Sequence, residues 1–209
     1  MADEHRVILI GGTSHAGKST VSRALAERFR WVCRPTDKMA RHPGRPWQTA
    51  PAQVPAHVAD HYRSLPVDEL IADVLRHYTD NVWPQVARLV ALHTTDLTTG
   101  LLIVEGSAVL PELAATVMHH GVSAIWLTAD DEHLRRRIHT ESRYALKTPR
   151  EKELVDKFVA RTCMFNQRTI EVVKRLGLAR VDVELASSAG ELTGMCLSAL
   201  ERQGCRLRR

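Results

Sequence analysis

The sequence is poor in aromatic residues, at 5% of 209 positions, and has no apolar run near the length a membrane-spanning helix requires. Its four cysteines, Cys33, Cys163, Cys196 and Cys205, are scattered without C-x-x-C spacing. They predict reduced thiols and indicate neither zinc nor disulfides. Internal repeats and low-complexity tracts are missing. Charge of one sign is also scarce: 29 Lys and Arg against 24 Asp and Glu leave a formal +5. So mild an excess suits anionic small molecules and does not argue for nucleic acid. The charged start, Met1-Ala2-Asp3-Glu4-His5-Arg6, leads straight into an apolar run and predicts no export signal. The expectation is one domain over 1–209, cytoplasmic, monomeric or homodimeric, with a small-molecule partner and neither membrane nor nucleic acid.

What the sequence does contain is concentrated in residues 12–19, Gly12-Thr13-Ser14-His15-Ala16-Gly17-Lys18-Ser19, which match G-x-x-x-x-G-K-[ST] at every fixed position. Val7-Ile8-Leu9-Ile10-Gly11 before it reads as a buried parallel strand. After it, Val21, Leu25 and Phe29 repeat every four residues on one helical face, with Ala24 beside them. Gly12 and Gly17 let several backbone N–H groups converge on one anion, and the helix adds its positive N-terminal end. Lys18 is placed for the β- and γ-phosphates, and the Ser19 hydroxyl for Mg²⁺. Residues 12–20, through Thr20, are therefore the expected nucleotide site, with Lys18 also catalytic.

Taken in order, Trp31–Pro35 predicts a second strand. Residues 53–98 read as helical, around Val54–Tyr62, Val67–His77 and Val82–Leu97, with a new start marked by Asn81 and Pro84. Leu101–Ser107 and Ser123–Thr128 predict two more strands with a short helix, Pro111–His119, between them. Asp130 or Asp131 caps a helix that carries Leu134 to Ile138. One long helix spans 150–175 and ends at Gly177. Arg180–Leu185 predicts a fifth strand and Ala189–Arg202 a closing helix. Strands alternating with helices imply an α/β fold with a parallel sheet, whose ligands bind at the carboxyl ends of the strands. Gly12–Ser19, Asp37 and Glu105 all fall at such ends. The helical segment 52–98 is read as an acceptor-binding insertion and 130–150 as a lid region.

Each remaining candidate has two readings. Asp37, after the second strand, either takes a proton from an attacking hydroxyl or is a turn aspartate. Glu105, at the end of an apolar strand, either holds Mg²⁺ or pairs with an arginine of the loop after the second strand. Arg41 and Arg45, with His42 between them, suggest an anionic acceptor, or form a solvated loop. Trp47 and Trp83 either wall the acceptor pocket or pack the insertion. His57 and His61 share a metal-compatible spacing but lack an evident third ligand. Of Arg135, Arg136, Arg137 and Arg143, Arg137 is assigned to the transferring phosphoryl group and Arg136 to the nucleotide, against a solvated-helix alternative. Arg150, Lys157, Arg161, Arg168 and Arg175 form a heptad-spaced stripe, with Glu153 and Glu171 placed for surface pairs and Arg161 or Arg168 able to face the cleft.

These motifs together resemble the P-loop small-molecule kinases, the group that contains shikimate, gluconate, adenylate and chloramphenicol kinases. The carriers are Gly12–Ser19, Asp37, Ile103-Val104-Glu105-Gly106 and the arginine-bearing segment after the fourth strand. Thr36 to Trp47 is similar to bacterial 2-phosphoglycerate kinase-like proteins. The resemblance implies a three-layer P-loop NTPase sandwich with strand order 2-3-1-4-5, ATP with Mg²⁺, acceptor contact at Asp37, and adenine contact near Ala186, Ser187 and Ser188. The shikimate-type D-x-D is missing, since Pro35 stands before Thr36 and Asp37. The function this implies is transfer of the γ-phosphate of ATP to a hydroxyl of a small anionic molecule. An antibiotic-inactivating O-phosphotransferase and a protein-binding nucleotide switch are the alternatives, the switch weakened by the lack of a guanine-type N-K-x-D motif.

Overall fold

The computed structural model describes residues 5–40, 42–47, 54–118 and 121–205. The candidate Arg41 lies outside these residues, as do His119 and the C-terminal Arg206, Arg208 and Arg209.

Five parallel strands lie in the order β2-β3-β1-β4-β5. They are β1 (Val7–Gly12), β2 (Val32–Pro35), β3 (Leu102–Glu105), β4 (Val122–Thr128) and β5 (Arg180–Asp182). The order expected from the resemblance is the order found. The central β1 pairs Ile10 with Glu105 of β3 and with Ile125 of β4. Its six residues are all buried, as a strand covered on both faces must be. Alternation splits them between layers. Ile8 and Ile10 join one core with Ile103, Ile125 and Leu127, while Val7 and Leu9 join the other with Leu102, Val104, Ala124 and Trp126. Edge strand β2 ends in Pro35, where a missing N–H is tolerated.

On the first face lie α1 (Lys18–Phe29), α6 (Asp131–Ser142), α7 (Pro149–Arg175) and α8 (Ala189–Glu201). Val21, Leu25, Leu134, Ile138, Phe158 and Leu200 bury their apolar sides there. Between β2 and β3 come α2 (Ala56–Ser64), α3 (Val67–His77) and α4 (Trp83–Thr95); α5 (Pro111–Ala114) follows β3. Trp83, Val86 and Val90 of α4 pack on the second face.

Local chemistry sets the ends of several helices. Thr148 and Glu151 form a reciprocal capping box at the start of α7. The Asp130 side chain caps α6 by accepting from the His133 N–H. Lys157 donates to the carbonyls of Tyr62, Arg63 and Leu65, so it closes the end of α2 and does not serve the surface pair expected with Glu153.

Three boundaries differ from the sequence reading. Asn81 and Pro84 do not start a fresh helix, because a π-helical turn, Tyr78–Val82, runs α3 into α4. The fifth strand stops at Asp182 and turns into a 3-10 segment, Val183–Leu185. The helix at Pro111 ends at Ala114, well short of His119.

Asn166 of α7 is fully buried and ties that helix to the end of β4. Its Nδ2 donates to the Ala129 carbonyl at 2.7 Å and its Oδ1 accepts from the Ala129 N–H at 3.4 Å. Asn166→Ala strands both backbone groups and is expected to cost about 3 kcal/mol in denaturant unfolding. A loss below about 1 kcal/mol would show that this tie is not needed.

Candidate active site

β1, buried along its whole length, delivers the loop, and α1, buried along one face, receives it. Gly12 has φ 123°, and a Cβ there would lie 2.1 Å from the Leu127 carbonyl oxygen. Only glycine can leave β1 this way. Gly17, at φ 85°, sits at the N-cap of α1. Between them His15 takes φ 67°, an uncommon conformation for a side-chain-bearing residue.

Contacts on three sides hold the His15 ring. Its Nδ1 lies 2.9 Å from the Ser14 hydroxyl, and its Nε2 lies 2.9 Å from a Glu141 oxygen on α6. Trp47 and Phe158 pack on it at 6.0 Å between centroids. Glu141 also pairs with Arg45 of the loop after β2. One carboxylate therefore joins the phosphate loop, α6 and the 42–47 segment. Burial first, then the Arg45 charge, lower the His15 pKa to about 4 against the pull of Glu141.

Lys18 and Glu105 form the charged floor. The Lys18 side chain is buried and its Nζ donates to the Thr13 carbonyl at 2.6 Å. Desolvation lowers its pKa, while Glu105 and Asp37 oppose that shift. Glu105 is buried at the end of β3, and its Oε1 accepts from the Ser19 hydroxyl at 3.0 Å. Burial raises its pKa, with Lys18 and the Ser19 hydrogen bond opposing. Its hydrogen-bond partner is Ser19, the Lys18 charge acts on it, and among the described residues no ion pair joins it to Arg45; Arg41, the other arginine of that loop, lies outside them.

These groups open into one cavity of about 1320 Å³. Thr13, Ser14, His15, Gly17, Lys18, Ser19 and Thr20 line it, together with Asp37, Arg45, Glu105, Arg136 and Arg137. Asp37 is exposed, in a 3-10 turn straight after β2. Gly12 and Ala16 are fully buried behind the lining and shape the loop without facing the space. Ser187 also lies off this lining: its N–H and hydroxyl both donate to Glu191, an N-terminal turn of α8. Arg135 and Arg143 are outside the lining as well. Trp47 is in it, against Phe158 at 4.8 Å, whereas Trp83 packs under the sheet.

Of the two stripe arginines read as able to face the cleft, Arg161 lines the cavity. Arg161 lies over the rings of Phe158 and Tyr62, at 4.8 and 5.5 Å, with its Nη1 buried and without a hydrogen-bond partner among the described residues. Its heptad neighbours are engaged elsewhere: Arg168 pairs with Glu112, and Lys157 is taken by carbonyls. Thr36, Tyr78, Ser107 and Thr162 also line the cavity and carry no sequence signal. The buried Thr36 side chain fills the space beside Gly106, where a Cβ would lie 1.7 Å from its Oγ1.

A gluconokinase from Sinorhizobium meliloti matches over 97% of this chain and 94% of its own, with TM-score 0.54 and 17% identity. A shikimate kinase from Aquifex aeolicus matches over 95% and 98%, with TM-score 0.54 and 14% identity. The chain has the P-loop small-molecule kinase fold. A thymidylate kinase from Candida albicans shares it as well, at TM-score 0.51 and 15% identity over 96% of this chain and 93% of that one. No family model and no curated protein matches the sequence itself. The three-layer sandwich with its five-stranded parallel sheet is thus the architecture of this kinase group.

The buried His15 ring makes the loop sensitive to acid. In the fold it stays neutral down to about pH 4, whereas unfolded it takes a proton near 6.5. Its contribution to stability is therefore complete above pH 6.5 and is lost as pH falls toward 4, by on the order of 3 kcal/mol. His15→Asn keeps a residue suited to the left-handed backbone and removes the ring. Unfolding free energies measured over this window are expected to fall less steeply in the variant than in the wild type. Equal slopes would remove His15 as the source.

Proposed function

We propose that the chain is an ATP-dependent phosphotransferase that moves the γ-phosphate to a hydroxyl of a small anionic acceptor. The observation that carries this reading is one cavity holding Lys18 and Ser19 at one end, Asp37 and Glu105 beside them, and arginines from three elements around the rest. The shared kinase fold is consistent with it.

The triphosphate is the donor substrate. The N–H groups of residues 13–19, the positive end of α1 and the Lys18 ammonium are placed for its phosphates. Ser19 and Glu105 suit Mg²⁺: they are oxygen donors 3.0 Å apart, and burial leaves the Glu105 carboxylate short of positive charge. Bound there, the ion neutralises charge on the β- and γ-oxygens.

Asp37 orients the acceptor and accepts its hydroxyl proton. As the acceptor oxygen bonds to the γ-phosphorus, the bond to the bridging oxygen breaks and ADP leaves with that electron pair. Arg136 and Arg137 on α6 supply charge to the transferring group, with residues 130–150 as the lid that carries them. Ser187 stays a candidate for the adenine side. In this account residues 1–209 form one kinase domain, with 52–98 as its acceptor wall.

The acceptor is anionic because the far end of the cavity is basic. Arg161 holds a buried Nη1 over two aromatic faces, without a hydrogen-bond partner among the described residues, and Arg45 lines the same cavity. A carboxylate or phosphate satisfies a planar guanidinium there, and a neutral acceptor would leave it unsatisfied. Arg41, between Asp37 and Arg45 in sequence, remains a candidate for the same anion.

Two substitutions test the two halves. Lys18→Ala is expected to abolish the thermal shift given by ATP with Mg²⁺; an undiminished shift would contradict the loop assignment. Asp37→Ala is expected to keep that shift and to lower transfer by ~100-fold or more, followed as ADP release across a panel of hydroxylated acids and phosphate esters. Near-normal turnover would remove Asp37 from the mechanism, and no acceptor-dependent release from the wild type would remove the kinase reading.

A further inference from the structure

Beside the cavity wall, at His42, three segments bring together side chains that the phosphotransfer reading does not use. His42 comes from the segment after β2, His61 from α2 and Asp73 from α3. One ligand atom from each lies within 4.8 Å of the other two. His42 Nε2 is 3.2 Å and His61 Nε2 is 3.9 Å from the same oxygen, Asp73 Oδ2. Around a tetrahedral ion with bonds of about 2.0–2.2 Å, ligand atoms stand roughly 3.3–3.5 Å apart, so the trio is close to one face of such a site.

Hydrogen bonding leaves a cation missing from this group. The Nδ1–H of His42 donates to the Pro43 carbonyl at 2.8 Å. A neutral ring then has no proton for Nε2, which points its lone pair at a carboxylate oxygen. His61 Nε2 is buried and makes no hydrogen bond among the described residues. The His42 lone pair therefore points at an anionic oxygen, and no hydrogen bond holds a proton on His61 Nε2, 3.9 Å from the same atom. Burial, outweighing the Asp73 contacts, also pushes both rings toward the neutral form that binds metal. The outer contacts match those of a ligand set. The Pro43 carbonyl fixes the His42 tautomer, and Arg76 Nη2 donates to the other Asp73 oxygen at 2.9 Å.

We infer that His42, His61 and Asp73 form a second metal site, for Zn²⁺, that clips the 42–47 segment to α2 and α3. Two imidazoles and a carboxylate suit Zn²⁺ and disfavour Mg²⁺, so the site is chemically distinct from Ser19 and Glu105. The fourth position is left to water or to His77, whose Nε2 is buried without a hydrogen bond and whose ring lies 4.8 Å from that of His42. The Arg161 charge nearby limits affinity and does not touch the ligand atoms. The ion would fix the segment that carries Arg45 and Trp47, and hence the shape of the acceptor end.

The test needs no nucleotide, so it stands or falls apart from the kinase reading. Chelator-stripped, tag-free protein is titrated with Zn²⁺ by calorimetry and with Co²⁺ by visible absorption. One ion per chain is expected, with the strong ligand-field bands of tetrahedral Co²⁺, in the wild type and equally in Lys18→Ala. Affinity is expected to fall by ~100-fold in His61→Gln and in Asp73→Asn, each checked for native far-ultraviolet circular dichroism. If Asp73→Asn does not fold, His61→Gln decides alone. The inference is overturned if the wild type takes up no ion, or if the folded variants bind as tightly as the wild type. It is also overturned if Glu105→Gln removes the ion while His61→Gln keeps it.

Discussion

Burying a lysine and a glutamate in one cavity, at the mouth of a parallel sheet, is the constraint on which the rest of this structure depends. Lys18 and Glu105 are both largely out of water, and desolvation pushes each toward its neutral form. Neither is stable there alone. Each feels the other's charge because β1 and β3 are neighbours in register, Ile10 beside Glu105, which brings the loop leaving β1 near the end of β3. Ser19, one residue past the lysine, completes the arrangement with its hydrogen bond to Glu105. A floor of this kind is costly as structure and apt for a bound triphosphate and its cation, which offset the same charges.

Around that floor the fold spends its irregular geometry. Gly12 and His15 hold positive φ in the loop, Gly106 holds it at the end of β3, and a π-helical turn bends the inserted helices at Tyr78–Val82. Each lies at or beside the cavity, where Tyr78 and Val82 are lining residues. Glu141 then joins α6 to the loop tip through His15 and to the 42–47 segment through Arg45. Any movement of α6 is thereby felt at both ends of the cleft.

How far the sequence foretold this depends on how local each feature is. The strand, loop and helix around Gly12–Ser19 rest on adjacent residues and an unambiguous spacing, and they form as expected. Glu105 could be singled out because a carboxylate ending an apolar strand demands a partner. Its hydrogen bond to Ser19 could not, since that depends on strand order, which came from a family resemblance. The π-helical turn was hidden because Asn81 and Pro84 imitate a helix start while the chain continues through them. The regular spacing of the stripe left Arg161 and Arg168 equally able to face the cleft, and only the packing on Phe158 and Tyr62 shows that Arg161 is the member that turns inward. His61 was paired in the sequence with His57, one turn away, yet His57 is exposed and the true neighbours, His42 and Asp73, come from other elements. Contacts made across three segments leave no periodic trace.

The central claim is that main-chain amides of the loop, with Lys18 and the Ser19–Glu105 pair, grip a nucleotide triphosphate. The most direct measurement is a crystal structure with Mg²⁺ and a non-hydrolysable ATP analogue. The account predicts the β-phosphate within hydrogen-bond distance of the N–H groups of residues 15–19, and the ion on the Ser19 hydroxyl with Glu105 beside it. An analogue bound elsewhere, or a loop left empty at saturating concentration, would contradict it.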